Sequence, residues 1–366
     1  MNYLLTCSAW LEALAKKEIE KLWYDITSVK DRLVYFSWDL KAISRVNINS
    51  RIWNKLYLVL DEKKIENFDE LYDLVYYINW KIYIKNSNPI TVNATSIRHI
   101  LTSIPSLQKI WKKAIVKNLV WDKMLEEDKK LSEIEVLIFL YENNWQVLLN
   151  TTWEALHKRW YRQDAWEAPI KENLASSLVL LSNWNFKSNL YDFCCWSGTI
   201  LIEAWMIAKN IAPWLNRKFD FQNFEWLDKK YYEEAILEAK NKIITDKKYY
   251  IYWYDIDEEI LEIAKKNAKK AWVDDIITFE KWNILDKKNE KISWALISNP
   301  PYWLRMQSFE TKKIHETFNY LFEKNNGLHG WIITGFAEFD KMINQKLYKK
   351  RKLYNWNEIS YFYKKI

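Results

Sequence analysis

The sequence predicts an α/β chain in two parts, an α+β front section followed by a doubly wound parallel sheet. Three observations lead there. Up to about residue 152, apolar strand-like stretches alternate with helical ones and close on an antiparallel hairpin, which suits small open sheets covered by helices. From about residue 168 the rhythm changes to short apolar strands separated by helical stretches, the pattern of a parallel sheet buried on both faces. The 366 residues are enough chain for two or three real cores.

Residues 3–7 read as a short strand, and Leu11 to Leu22 as an amphipathic helix. RLVYFSW is strand-like, and DLKAISRVNINSRI is helical. KLYLVL, the helix DELYDLVYYI, PITVNAT and the helix SLQKIWKKAIVKNL continue the alternation. IEVLIFLYEN and QVLLNTT form the hairpin, divided by Asn144-Trp145. In the second part SNLYDFC, YYIYWYD, IITFE, ISWALIS and WIITGF are the parallel strands. About 60 residues separate Asp192 from Asp255, more than a bare crossover needs, so FDFQNFEWLDKKYYEEAILEAKNKI reads as a helical insertion. KLY and EISYFYKK, divided by Asn355-Trp356, read as a last hairpin.

The composition is abnormal in one respect. A globular chain carries roughly 7% glycine, whereas this one has 4 Gly and 23 Trp. Tryptophan stands where glycine is physically required. Trp23 and Trp272 follow helical runs at the position where a left-handed backbone is preferred, and Asn144-Trp145 and Asn355-Trp356 stand where Asn-Gly makes a hairpin. The expectation is that many of these residues are glycine in the living cell, the gene belonging to an organism that reads UGA as glycine. Trp80, Trp184 and Trp226 lie among apolar neighbours and carry no such demand.

A net charge of +7 and a pI near 8.9 permit a polyanionic partner without requiring one. Cys7, Cys194 and Cys195 have no metal-ligand spacing, and their odd number argues against a disulfide framework. The four histidines also lack metal spacing and read as surface or capping residues. The opening MNYLLTCSAWLEALAKKEIEK lacks the features of a signal peptide, and no apolar run reaches the ~18 residues of a membrane span. A cytoplasmic protein without membrane or metal partners is expected; the oligomeric state is not encoded legibly.

Two motifs carry chemistry. In a doubly wound sheet, ligands bind at the carboxyl ends of the strands, closest to the first strand-to-helix turn. That turn is Asp192-Phe-Cys-Cys-Trp-Ser-Gly-Thr199, in which Ser197, Gly198 and Thr199 offer small side chains and free N–H groups. Trp196 stands at its tip, where a side chain would fill the ligand's space. Asp255 ends the second strand and can accept from both hydroxyls of a ribose, while Asp257 reads as an N-cap. Asn283, after the third strand, offers an amide to an adenine edge. The fourth strand runs into Asn299-Pro300-Pro301-Tyr302. Its prolines remove two donors, so the Asn299 side-chain carbonyl and the Pro300 carbonyl can hold an exocyclic amine, with Tyr302 as a stacking face.

These motifs resemble the class I S-adenosylmethionine-dependent methyltransferases that act on exocyclic amines. More narrowly, HKRWYRQDAWEAPIKENLA (157–175), the opening TCSAWLEALAKKEIEKLWY and the tail KLYNWNEISYFY are similar to bacterial 23S ribosomal RNA guanine-N2 methyltransferases that carry a THUMP domain. Trp10, Trp160 and Trp166 again stand at that family's glycines. Phe193 replaces its proline, and Asn283 stands where an aspartate is usual. The resemblance implies a ferredoxin-like domain at 1–58, a THUMP RNA-binding domain at 59–152 and a Rossmann-like methyltransferase domain at 153–366. It implies that Asp192, Cys194, Trp196, Ser197, Gly198, Thr199, Asp255 and Asn283 line S-adenosylmethionine, and that Asn299, Pro300, Pro301 and Tyr302 hold the target base.

A guanine N2 in 23S rRNA is the expected substrate, and a tRNA guanine or an adenine N6 is the alternative. A non-catalytic RNA-binding protein is expected if Trp196 is literal. Lys109, Lys112, Lys113 and Lys117 share one helical face opposite Ile110, Ala114 and Ile115, and could follow RNA phosphates. Lys158, Arg159 and Arg162 stand at the domain junction as further counter-charge.

Overall fold

In a computed structural model the described residues are 1–65, 68–85, 87–97, 104–120, 126–142, 144–152, 154–156, 159–161, 170–273, 277–287, 295–302, 308–325, 328–355 and 358–366. They form two compact units, one of residues 1–7, 15–156 and 214–238, the other of residues 8–14, 157–213 and 239–366.

The first unit opens with β1 (Asn2–Thr6), α1 (Glu12–Lys21), β2 (Asp25–Lys30), β3 (Leu33–Ser37), α2 (Lys41–Asn49) and β4 (Lys55–Lys64). The strands pair antiparallel in the order β2-β3-β1-β4, the ferredoxin-like arrangement. β2 was not legible as a strand. It is a polar edge strand, DITSVK, with no buried residue and so no apolar alternation to betray it. Next come α3 (Phe68–Tyr76), α4 (Trp80–Tyr83), β5 (Ile90–Ile97), α5 (Ile104–Val120), β6 (Ile134–Tyr141) and β7 (Asn144–Asn150). These strands extend the same sheet to seven, in the order β2-β3-β1-β4-β7-β6-β5. The expected division at residue 58 falls inside β4, which pairs with β1 along one edge and with β7 along the other.

This sheet is strongly curled. Lys30 on β2 stands 4.8 Å from the ring of Tyr141 on β6, with four strands between them. Neighbouring strands lie about 4.8 Å apart, so a flat sheet would hold these residues more than 20 Å from each other. The curl encloses Leu4, Leu33, Tyr35, Tyr57, Phe139 and Leu148, and Tyr35 donates to Gln146 at 3.1 Å across it. Of the expected insertion, residues up to 238 cluster with this unit, where Arg45 grips Glu238 through two bonds of 2.6 and 2.7 Å.

The second unit contains α6 (Glu172–Ser182), β8 (Leu190–Asp192), α7 (Thr199–Ala208), the end of α8 (Lys230–Asn241), β9 (Ile251–Asp255), α9 (Glu258–Lys270), β10 (Ile277–Lys281), β11 (Ala295–Ser298), α10 (Ser308–Lys324), β12 (His329–Thr334), α11 (Phe339–Met342), β13 (Tyr348–Asn355) and β14 (Glu358–Lys365). The order is β10-β9-β8-β11-β12-β14-β13; the first five strands are parallel and β14 runs antiparallel to β12. The order reverses between β8 and β11, which opens the crevice where such sheets bind ligands. α10 covers the sheet with Phe318, Leu321 and Phe322, all fully buried. No helix among the described residues is long and apolar enough to cross a membrane.

One expected turn lies elsewhere. Tyr141 pairs with Asn144, so the chain reverses before Asn144, after a Glu142 with φ of +56°, and Trp145 is a buried strand residue. At the last hairpin Asn355 is likewise a strand residue paired with Glu358, and Trp356 lies outside the described residues.

Two groups stand out among the described tryptophans. Trp10, Trp23, Trp196 and Trp272 have φ of +72°, +65°, +51° and +56°, the left-handed region, which costs a residue with a β-carbon roughly 1–2 kcal/mol. Trp23 and Trp272 are also 82% and 67% exposed, so the indole gains little from packing. By contrast Trp80, Trp184 and Trp214 are buried and donate their indole N–H groups to Val75, Ser188 and Ser50 carbonyls at 2.7, 2.8 and 3.0 Å. Trp226, grouped on sequence with the ordinary tryptophans, buries its N–H without a partner among the described residues. Trp23→Gly and Trp272→Gly are each expected to raise stability by about 1 kcal/mol, and Trp80→Ala to lower it by about 3–5 kcal/mol, as read from urea unfolding.

Candidate active site

β8, β9 and β11 are neighbours, so their carboxyl ends bring Asp192, Asp255 and Asn299 to one edge of the sheet. Asp192 is the last residue of β8 and is 1% exposed. Its carboxylate accepts the Cys194 backbone N–H at 3.0 Å and the Ser298 hydroxyl at 2.6 Å. Burial pushes this carboxyl up to about 7. Asp255, at the end of β9, accepts the Trp196 backbone N–H at 3.0 Å and that of Asp257 at 3.3 Å. It too is raised by burial. A carboxylate has about four lone-pair sites, so Asp255 retains acceptors for a ribose. Asp257 is the expected N-cap of α9, accepting from Glu259 at 2.9 Å.

The turn between β8 and α7 is tied along its length. Cys195 donates its N–H to the Tyr254 carbonyl at 3.0 Å, and Asn267 donates to the Ser197 carbonyl at 3.0 Å. Ser197 and Thr199 hydroxyls stand 3.1 Å apart. Gly198 caps α7 with φ of +79°, and a Cβ there would collide with the Trp253 ring. The Trp196 indole leaves this turn and donates to the Asn299 backbone carbonyl at 2.7 Å. It therefore spans the gap between the turn and the Asn-Pro-Pro-Tyr motif.

Asn299 is 8% exposed, and its side-chain oxygen is buried without a partner among the described residues. Native structures rarely leave such an acceptor unmet. A ligand amine would satisfy it. Tyr302 is held by its hydroxyl, 3.2 Å from Ser360 and 3.4 Å from the amide nitrogen of Asn355. The surrounding groups thus fit a nucleoside-bearing donor beside an amine acceptor, and the Trp196 indole is what crosses that space.

Other expected residues are placed differently. Asn283 uses its side-chain oxygen to cap the turn at Leu285, at 3.0 Å. Arg159 is no surface counter-charge. It is 3% exposed and pairs with the fully buried Glu203 on α7 at 3.0 Å, where Tyr161 and Ser176 also bind. A guanidinium in that position cannot reach a phosphate; it anchors α7 behind the turn. Lys158 and Arg162 lie outside the described residues. On α5, Lys109, Lys113 and Lys117 are exposed at four-residue spacing, whereas Lys112 turns to Glu127 at 2.7 Å. The apolar face is Trp111, Ala114 and Ile115; Ile110, expected there, is 47% exposed. His315, expected as a surface or capping residue, is fully buried between the Thr311 carbonyl and the Thr334 hydroxyl, and burial lowers it to about 4. Sequence reasoning gave no role to Ser298, Glu203 or Ser360, although Ser298 directly precedes the Asn-Pro-Pro-Tyr motif and Glu203 lies in the Ile-Glu-Ala run after the first turn.

The sequence pattern of the RMKL-like methyltransferase domain matches residues 159–361. The chain belongs to this methyltransferase family. Residues 2–56 match the RlmL ferredoxin-like domain. YpsC of Bacillus subtilis (strain 168), an RNA methyltransferase by name, is 34% identical over 96% of this chain and 92% of its own. The tRNA (guanine(6)-N2)-methyltransferase of Methanocaldococcus jannaschii is 32% identical over 95% and 93%. The ribosomal RNA large subunit methyltransferase K/L of Buchnera aphidicola is 35% identical over 81% of this chain, but over 44% of its own length. Among solved structures, SMU.472 complexed with SAH superposes with a TM-score of 0.90 at 33% identity, covering 99% and 97% of the two chains. The second unit of this family member has the class I methyltransferase fold.

Because the folded-state carboxyl of Asp192 lies above its unfolded value of 3.8, the folded chain binds the extra proton between about pH 4 and pH 7, and stability falls as pH rises through that window. Asp192→Asn removes this penalty. Its melting temperature, relative to the parent, is expected to rise between pH 5 and pH 8 in differential scanning calorimetry; a constant difference would contradict the buried carboxyl.

Proposed function

We propose that the protein transfers a methyl group from S-adenosylmethionine to the exocyclic N2 of a guanine in RNA, with 23S rRNA as the substrate. The observation that carries this reading is the unmet, buried side-chain oxygen of Asn299, one residue beyond β11, whose backbone carbonyl meets the indole of the turn tied to Asp192 and Asp255. A tRNA guanine is the second reading, supported by the relative named as a tRNA methyltransferase that aligns over 95% of this chain.

S-adenosylmethionine supplies a methyl group on a positively charged sulfur. The turn from Asp192 through Cys194, residue 196, Ser197 and Gly198 to Thr199 would seat the donor, with Asp255 accepting from its ribose and Asn283 near its adenine. A guanine amine is a poor nucleophile because its lone pair is delocalised into the ring. Asn299 and the Pro300 carbonyl accept its two hydrogens and let the lone pair localise toward the methyl group. Pro300 and Pro301 bring no donor of their own to compete for those carbonyls. Tyr302 provides the face onto which the base flips from its stack. The amine would gain its N–C bond as the methyl–sulfur bond breaks, with S-adenosylhomocysteine as the leaving group, and would then be acidic enough to lose its proton to water without a strong base.

We further propose that residue 196, and with it residues 10, 23 and 272, is glycine in the cell. The support is the left-handed backbone at all four and the indole lying across the gap at 196. A non-catalytic RNA-binding protein is the reading if Trp196 is native. Calorimetry with S-adenosylmethionine separates the two: the Trp196→Gly protein is expected to bind and the tryptophan protein not. In the Trp196→Gly background, Asn299→Ala is expected to lower methyl transfer to RNA by about 10²–10³-fold. Mapping N2-methylguanosine in ribosomal RNA and tRNA treated with the enzyme identifies the nucleotide; N6-methyladenosine as the product would overturn the guanine assignment.

The exposed stripe Lys109, Lys113 and Lys117 supports an RNA-following role for α5. Replacing all three by Glu is expected to weaken RNA binding, with a shallower salt dependence, while leaving the calorimetric affinity for the donor unchanged. Equal RNA affinity would remove the helix from the interface.

A further inference from the structure

We propose that Asn355 selects guanine, its side-chain oxygen accepting the N1–H of the target base while Asn299 holds the neighbouring amine; this rests on the guanine-N2 reading above. Asn355 is the last residue of β13 and is 1% exposed. Its amide nitrogen faces the Tyr302 hydroxyl at 3.4 Å. Its side-chain oxygen, like that of Asn299, is buried and has no partner among the described residues. Two unmet, buried acceptors are therefore tied to one aromatic residue: Asn299 stands three positions before Tyr302 in the chain, and the Asn355 amide meets its hydroxyl.

Tyr302 itself is fixed. Ser360, across the hairpin from Leu353, holds its hydroxyl at 3.2 Å. Gly335 lies so close that a Cβ there would stand 2.9 Å from two carbons of the ring. The C-terminal hairpin thus sets both the stacking face and the amide beside it.

The Watson–Crick edge of guanine presents two donors side by side, N1–H and the N2 amine. Adenine presents its amine beside an N1 lone pair. Two acceptors next to one stacking face match the first pattern, and the second would set a lone pair against the Asn355 oxygen. Recognition of flipped bases by this edge is the general mode for unstacked RNA. A site built around such a bond rejects an analogue that lacks it, because the buried acceptor is then left unmet.

The test uses the RNA fragment that carries the mapped nucleotide, synthesised with guanosine or with 2-aminopurine riboside at that position. 2-Aminopurine keeps the amine and replaces N1–H by a lone pair. The Trp196→Gly protein is expected to prefer guanosine by about 10- to 100-fold in kcat/KM. Adding Asn355→Ala should reduce that ratio to about threefold or less, and adding Asn355→Asp, which keeps an acceptor, should preserve it. Donor affinity by calorimetry should stay unchanged in both variants, so a ratio that moves reports base reading and not damage to the fold. An unchanged ratio in Asn355→Ala overturns the proposal. So does a parent that does not prefer guanosine, a measurement that needs no variant to fold. If the parent makes N2-methylguanosine and either result appears, Asn355 is excluded and the guanine-N2 reading stands; an adenine product excludes both.

Discussion

Asp192 and Asp255 end adjacent parallel strands and accept the backbone N–H groups of Cys194 and Trp196, so the turn from β8 into α7 has one path available to it. Everything at the site depends on that path. It brings the backbone of residue 196 against Asp255, requires the left-handed conformation at Gly198, and leads α7 away with Glu203 buried on Arg159. Both carboxylates are desolvated, and the charged form is offset at Asp192 by the Ser298 hydroxyl and the Cys194 N–H, and at Asp255 by backbone N–H groups. Asp192 ends β8, beside the point where the strand order reverses, and the Asn-Pro-Pro-Tyr segment leaves β11 on the other side of it.

That constraint explains why the tryptophans matter for function as well as for composition. A left-handed residue can be an indole at a solvent-exposed helix end, as Trp23 and Trp272 show, at an energetic penalty and without blocking anything. At residue 196 a left-handed indole instead reaches from the turn to the Asn299 carbonyl. The tryptophans that donate to a carbonyl from a core, such as Trp80 and Trp214, have the burial and the bond that an indole needs. Backbone angle and indole pairing together set the four left-handed tryptophans apart from those that donate from a core.

Most of the second unit was legible in the sequence because its parallel strands are short, apolar and followed by helices, and because Asp192, Asp255 and Asn299 all stand at strand ends. What was not legible depends on tertiary placement. β2 is polar throughout and exists because β3 offers it an edge. Arg159 reads as a surface cation in HKRWYR, and nothing local reveals that Glu203, 44 residues on, takes it into the core. Ile110 and Trp111 are adjacent and both apolar, so the choice of which one faces inward rested on what α5 packs against. Asn355 looked like a turn residue, since the hairpin signal around it gives no hint that its amide meets Tyr302, 53 residues earlier.

β4 carries a consequence for how the front of the chain can be handled. Its first residues pair with β1 and its last with β7, and Tyr57 to Val59 pair with both. A cut at that point would strip one flank from each fragment and leave open ladder edges of the kind that recruit other chains. Expression of fragments divided between Tyr57 and Val59 would accordingly favour inclusion bodies, whereas a division after Lys64 keeps β4 on β1.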